Sequence, residues 1–295
     1  WHMIFVIGGV TASGKSDLAF RFAKAINGII INADAFAFYK ELNIGTAKPT
    51  AEELAMVPTF LFNNISLDER FSIYNYQKEV RVILDEYLAK KVPIVLVGGS
   101  GLYIRAALYN YNLQPEKELK IVDDHKISNT SLHKELEALD KEAASKIHPN
   151  NRKRVLRALA LIKTHAQTKT ALEEVTTSEP LYPYTMICLD KENEVLHRDI
   201  ETRVKLMFAK GLRMEAVTLS KKYPRNAQGM QAIGYKEIVQ NPNATDEELM
   251  NLIALRTRQY AKRQRTFFRN QFTATWFTDK EEAFNYLRGK YEELL

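Results

Sequence analysis

Three stretches of this chain carry residues that could do chemistry. Residues 8–16 read Gly-Gly-Val-Thr-Ala-Ser-Gly-Lys-Ser, and Gly9, Gly14, Lys15 and Ser16 satisfy the pattern G-x-x-x-x-G-K-[ST]. Glycines let the backbone curl so that successive N–H groups point at one anion. Lys15 adds a mobile cation, and the Ser16 hydroxyl can hold Mg²⁺. The second stretch, residues 28–34, is an apolar run that closes on Asp34. A carboxylate on a rigid strand end beside a phosphate site suits a general base. A loop carboxylate capping the next helix is the plainer alternative. Phe36, Phe38 and Tyr39 follow, and fit core packing as well as they fit an apolar substrate wall. The third stretch, residues 93–97, runs into Gly98-Gly99-Ser100-Gly101. A nucleotide-hydrolysing phosphate-loop protein normally ends such a strand on an acid that supports Mg²⁺; here glycine stands in that place. Asp190 closes another apolar run, a pattern too common to assign it a metal. The bound anion therefore reads as a diphosphate that departs, rather than ATP being hydrolysed.

The elements that must position these residues follow from hydrophobic pattern. Residues 3–7 and 93–97 are short apolar runs, the mark of buried parallel strands, and residues 28–34 read as a second strand ending at a carboxylate. Between them, residues 15–26 and 72–90 carry apolar positions at helical spacing, and Thr50-Ala51-Glu52-Glu53 resembles a capping box opening a short helix. Alternation of strand and helix implies an α/β fold: a parallel sheet with right-handed crossovers and helices on both faces. Ligands in such sheets sit at the carboxyl ends of the strands, the edge that gathers the phosphate loop, Asp34 and Ser100. From about residue 115 to 181 the sequence turns polar and helix-forming. We read that span as a helical insertion domain between core segments 1–114 and 182–295. Residues 184–189 return to the sheet, and helices are expected over 194–209, 213–222, 246–270 and 280–293.

Composition sets outer bounds. The chain has 295 residues, 45% hydrophobic and 26% charged, which is ordinary for a globular protein able to bury a large core. No apolar run reaches the roughly 20 residues that span a bilayer, no signal peptide is visible, and a cytoplasmic location is expected. Trp1-His2 reads as a cloning remnant ahead of a native start at Met3. The single cysteine, Cys188, excludes an intrachain disulfide and reads as a core residue. The six histidines are scattered without metal-ligand spacing. A net charge of +6 permits a polyanionic partner, and its distribution is more telling. Residues 152–165 hold Arg152, Lys153, Arg154 and Arg157 with no acid, above a face of Val155, Leu156, Leu159 and Ile162. Residues 256–269 hold six cations and three aromatics, again with no acid. Solvated helix faces usually mix in Glu at i±4 spacing; unpaired arginine near aromatics suits phosphate contacts and base stacking on RNA.

Taken together these segments resemble the bacterial tRNA dimethylallyltransferases. The matches are residues 9–16, 43–49 (Asn-Ile-Gly-Thr-Ala-Lys-Pro), 98–103, 149–159, 231–237 (Gln-Ala-Ile-Gly-Tyr-Lys-Glu) and 257–270, in the family's order. The resemblance implies a P-loop NTPase-like core and transfer of a dimethylallyl group from dimethylallyl diphosphate to adenosine N6. The target adenosine would lie just 3′ of the anticodon in tRNAs that read codons beginning with U. It implies Asp34 as base, with Ser100 and Lys15 beside it in the catalytic set. Gly9, Val10, Thr11, Ala12, Ser13, Gly14, Lys15 and Ser16 would hold the diphosphate, with Ser16 supporting Mg²⁺ as the cofactor. Asp34, Ala35, Phe36, Ala37, Ser100, Lys153, Arg154, Val155, Leu156, Arg157, Gln231 and Arg263 would meet the anticodon stem-loop, with the target base flipped from its stack. A monomer acting away from membranes is the expected form.

The chain also departs from the pattern. Ala35-Phe36-Ala37 replaces Ser-x-Gln after the catalytic Asp, Val10 replaces Pro, Thr59-Phe60 replaces a His pair, and Ala160 replaces Glu. An arginine common to the family lacks a counterpart around residues 113–123. Two other classes share parts of the pattern: a small-molecule phosphate-loop kinase, which would consume ATP, and a tRNA-binding homologue with weakened or lost catalysis.

Overall fold

A computed structural model of the chain describes residues 3–111, 121–165 and 179–295. The chain packs as two compact units: Trp1–Phe71 with Tyr76–Ala107 and Tyr182–Leu295, and Ser72–Asn75 with Leu108–Leu181. In the first unit the apolar runs become inner strands because every side chain in them must be buried. These are β1 (Ile4–Gly9), β2 (Ile29–Asn32), β4 (Ile94–Val97) and β5 (Thr185–Leu189). Two short edges, β3 (Thr59–Phe60) and β6 (Thr275–Phe277), complete a wholly parallel sheet of order β3-β2-β4-β1-β5-β6. In register, Val97 pairs both Ile7 and Asn32, so the ends of β1, β2 and β4 lie side by side.

Alternation along β1 assigns its two faces. Phe5 and Ile7 join a cluster with Leu18 and Phe22 of α1 (Lys15–Ala25) and with Ala283 and Leu287 of the C-terminal helix Lys280–Leu294. Phe5 meets Phe22 edge-on at 5.0 Å between centroids, a favoured aromatic geometry. Gly8 faces the other way, where a Cβ would come within 2.7 Å of Phe268 on the long helix Asp246–Gln271. Helices thus cover both faces, as the sequence pattern predicts. The helices between are α2 (Ala51–Met56), α3 (Ile73–Ala89) and α4 (Gly101–Leu108), with the Thr50–Glu53 capping box formed as expected.

The second unit holds α5 (Asn129–Leu139), α6 (Lys141–Lys146) and α7 (Arg152–His165) around Leu132, Leu136, Val155, Leu156, Leu159 and Ile162. Each such side chain contributes about 1.5–3 kcal/mol on full burial. After the return strand come α8 (Asn193–Ala209), α9 (Leu212–Lys222), α10 (Tyr235–Gln240), α11 (Asp246–Gln271) and α12 (Lys280–Leu294).

Two charged readings change. Arg265, counted among the RNA-facing cations of residues 256–269, makes a two-pronged ion pair with Asp190 at 2.6 and 2.8 Å. That pair ties α11 to the end of β5 and accounts for Asp190 without a metal. The side chains are 19% and 12% exposed. Asp190→Ala is therefore expected to cost about 2 kcal/mol in urea unfolding, less than the 3–5 kcal/mol of a fully buried pair because water reaches this one. Arg152, likewise expected to face RNA, is paired to Asp123 at 2.7 Å and bonded to the Ile127 carbonyl within the second unit.

Candidate active site

The phosphate loop leaves β1 at Gly9, whose φ of 121° and closeness to Leu189 both demand glycine: a Cβ there would lie 2.1 Å from the Leu189 oxygen. The Val10 N–H donates to the Leu189 carbonyl at 3.2 Å, a bond a proline at this position could not make. Lys15 opens α1, and its ammonium curls back over the loop to donate to the carbonyls of Val10 (2.6 Å) and Gly9 (3.2 Å). The Ser13 hydroxyl is buried and has no hydrogen-bond partner among the described residues. The loop therefore keeps unspent hydrogen-bonding capacity beside a mobile cation.

Asp34 lies two residues beyond β2, and Asn32 explains why the strand stops there. The Asn32 amide donates to the carbonyls of Asp34 and Leu61 at 3.0 Å each, while its oxygen accepts from the Asp34 N–H at 2.9 Å. This side chain turns the backbone out of the sheet and holds Asp34 at the carboxyl edge. The Asp34 carboxylate accepts from the Phe36 N–H at 3.0 Å. Ser100 caps the same turn from β4: its hydroxyl accepts from the Ala35 N–H at 3.0 Å, and its N–H donates to Ala33 at 3.1 Å.

Helix α11 locks the loops together through Gln264. Its side-chain oxygen accepts from the Thr11 N–H at 2.8 Å and its amide donates to the Gly99 carbonyl at 3.1 Å. The approach needs Gly99, where a Cβ would sit 2.2 Å from the Gln264 nitrogen. One turn earlier Tyr260 sets its phenol among Ser100, Gln264 and Asp34, and burial pushes it up to about 12. From α8, Arg203 donates to the Thr11 hydroxyl at 3.2 Å; burial lowers its pKa and Asp34 opposes the fall.

These groups line a cavity of about 480 Å³ with four cations (Lys15, Lys48, Arg203, Lys210) against two carboxylates (Asp34, Glu53). An apolar pocket of about 220 Å³ adjoins it, sharing Thr11, Asp34, Thr46, Ala47, Arg203, Met207 and Tyr260, and walled by Phe36, Ile200, Val204, Ile233 and Ile253. An anion site thus opens onto an apolar pocket, with Asp34 on both.

Burial pushes Lys15 down to about 8, with Asp34 opposing and Arg203 adding to the fall. Lys15 is then charged below that pH and neutral above it. Pyrophosphate affinity relative to Lys15→Met is expected to shrink as pH rises through about 8, by calorimetric titration. In the ligand-free protein the sign is opposite: the unfolded chain binds the Lys15 proton more tightly, so this group's contribution to stability rises with pH between about 8 and 10.5.

A family model for IPP transferases matches residues 37–271. The chain belongs to the IPP transferase family. It is 38% identical over 305 residues to a tRNA dimethylallyltransferase of Bacillus pumilus, covering 97% of this chain and 96% of that protein. Its fold matches the tRNA isopentenylpyrophosphate transferase of Bacillus halodurans with a TM-score of 0.73 at 34% identity, over 99% of this chain and 98% of that one. The Staphylococcus epidermidis tRNA delta(2)-isopentenylpyrophosphate transferase also gives a TM-score of 0.73, at 32% identity, over 99% of each chain.

Against this family background the predicted site residues sort by burial. Thr11, Ala12, Ser13, Gly14, Lys15, Ser16 and Asp34 line the phosphate-loop cavity, and Phe36 and Arg263 wall the apolar pocket. Gln231 is exposed, its amide donating to the Arg225 carbonyl at 2.9 Å. Lys153, Arg154 and Arg157 are exposed on α7. Val155 and Leu156, which the resemblance set against RNA, are core residues of the second unit at 0% and 8% exposure, on the buried face that the apolar spacing of α7 predicts. Ala37 is likewise buried at 0% and offers no surface to a base. Of the three aromatics in the basic stretch of α11, two are taken up in packing: Phe268 is buried, and Phe267 lies where a Cβ on Gly101 would touch its ring at 2.3 Å; Tyr260 lines the cavity. Most of residues 113–123, where the family's arginine lacks a counterpart, fall outside the described residues.

Two segments of the resemblance, residues 43–49 and 231–237, meet as scaffolding. Glu215 accepts from the N–H groups of Asn43 and Ile44 and from the Tyr235 hydroxyl, which in turn accepts from the Gly45 N–H at 2.9 Å. Residues 43–48 are thereby held as a cavity wall. Arg203, Tyr260 and Gln264 were not singled out from sequence. Each sits on an amphipathic helix, where spacing alone does not separate a cavity-facing side chain from a solvated one.

Proposed function

We propose that the chain is a tRNA dimethylallyltransferase, moving the dimethylallyl group of dimethylallyl diphosphate to N6 of the adenosine 3′ of the anticodon. The observation that carries this reading is Asp34, held between a cationic phosphate-loop cavity and an apolar pocket. An adenine amine is a weak nucleophile because its lone pair is delocalised into the ring. In the reaction N6 attacks C1 of the dimethylallyl chain, the C1–O bond to the diphosphate breaks, and the N6 proton passes to the Asp34 carboxylate. Lys15, Arg203 and the loop N–H groups take up the charge of the departing diphosphate. Tyr260 and Ser100 fix the turn that carries Asp34, and the flipped base enters past Phe36 and Arg263.

The donor set fits a magnesium ion. Ser16 presents a hydroxyl oxygen to the cavity, the orphaned Ser13 hydroxyl lies in the same loop, and a diphosphate would complete the oxygen ligands. When bound, the ion would offset diphosphate charge. On this reading the protein works as a monomer in the cytoplasm, and no described helix is long and apolar enough to cross a membrane.

Lys153, Arg154 and Arg157 are read as phosphate contacts. Converting all three to Glu is expected to weaken stem-loop binding at least tenfold in a filter-binding assay. The log–log salt slope should fall by about 0.7–0.9 per cation removed. The activity itself is tested by incubating an A-rich anticodon stem-loop with Mg²⁺ and dimethylallyl diphosphate and weighing the RNA. One dimethylallyl mass is expected; tight RNA binding with no gain would instead support the non-catalytic homologue, and ATP turnover the kinase.

A further inference from the structure

Of the two strands beside β1, β4 is followed by Gly98 where an acid usually stands, and the acid after β5, Asp190, is held by Arg265. A carboxylate nevertheless reaches the loop from elsewhere. The Ser16 hydroxyl donates to Glu53 Oε2 at 3.2 Å, and both residues line the phosphate-loop cavity. The other oxygen of Glu53 accepts from the Thr50 N–H at 3.0 Å while Thr50 Oγ1 accepts from the Glu53 N–H at 3.1 Å, closing the capping box of α2. The cap therefore pins the Glu53 rotamer, and the pinned rotamer aims its second oxygen at Ser16.

A hydroxyl has one proton and two lone pairs. Once its proton is committed to Glu53, the lone pairs of Ser16 are the part left to turn toward the cavity. That is the orientation a cation needs, and the negative charge of Glu53 adds to the attraction. We propose that Glu53 is the metal-positioning carboxylate of this site. It orients Ser16 toward the divalent cation and supplies, from a surface helix, the acid that β4 does not. This inference rests on the diphosphate-transfer reading. It also gives the capping box a purpose beyond the helix, because α2 buries none of its own residues and has little packing of its own to support.

The test is manganese binding to the whole protein in the presence of inorganic pyrophosphate, followed by loss of the free-ion signal in electron paramagnetic resonance. Glu53→Gln is expected to weaken manganese binding by about 10–100-fold, the usual cost of losing a group that orients a metal ligand. Ser16→Ala should do the same, and the double variant should be little worse than either single one, since both act through one contact. Thr50→Ala, which keeps the carboxylate, should shift manganese affinity far less than Glu53→Gln. Because α2 carries no buried residue and Ser16 is only half-buried at the start of α1, these variants are expected to stay folded, which thermal melting checks directly. Unchanged manganese affinity in Glu53→Gln, with the parent protein binding normally, overturns the proposal and leaves Glu53 as a helix cap. Failure of the parent protein to bind manganese with pyrophosphate overturns the diphosphate reading, and this proposal with it.

Discussion

Asp34→Asn is expected to slow prenyl transfer by about 10²–10⁴-fold, the usual contribution of a positioned general base. The amide keeps the side chain's shape and can still accept from the Phe36 N–H, so the turn set by Asn32 and Ser100 survives. What it loses is the negative charge facing Arg203 and Lys15 and, in the proposed role, the capacity to take the N6 proton. The check is single-turnover transfer to a stem-loop RNA, with RNA affinity measured in parallel. Affinity should change by less than threefold, since only the reacting atom is touched. Equal loss of binding and rate would make Asp34 a structural carboxylate.

Arg203→Met is expected to lower the same rate constant by about 10²–10³-fold, the range seen when one preorganised donor to a developing anion is removed. Methionine fills similar space next to Met207 and Val204, so the apolar pocket keeps its wall. The loss falls on the leaving group, which gains charge as the C1–O bond breaks. Thr11 also loses its 3.2 Å partner, which adds some loosening of the loop. Pyrophosphate, as the product, should bind more weakly to this variant, whereas Asp34→Asn should bind it as well as the parent protein or better. That opposite response separates the base from the anion-stabilising residue.

The difference between what was legible and what was not has a physical pattern. Inner strands were legible because a parallel strand buried on both faces must be almost continuously apolar, as Ile29–Ile31 and Ile94–Val97 are. The edge strands Thr59–Phe60 and Thr275–Phe277 are too short and too exposed to carry such a signal. The phosphate loop was legible because its glycines and lysine are adjacent in sequence. Asp34 was legible as a strand end, and the parallel order then brought it beside the loop. Arg203, Tyr260 and Gln264 reach the cavity from helices more than 150 residues downstream, and only the tertiary fold tells them from their neighbours. The same blindness misread Arg265, whose partner Asp190 lies 75 positions away. Val155 and Leu156 sit inside the basic segment of α7, yet the helical period sends them to the core.

A phosphate loop that cradles a leaving diphosphate, as proposed, should split no nucleotide. The most direct measurement follows pyrophosphate release and RNA mass in one reaction containing stem-loop RNA, dimethylallyl diphosphate, Mg²⁺ and ATP. One pyrophosphate is expected for each dimethylallyl group gained by the RNA, with ATP left intact. ATP cleavage coupled to the reaction, or pyrophosphate release without a gain in RNA mass, would contradict it.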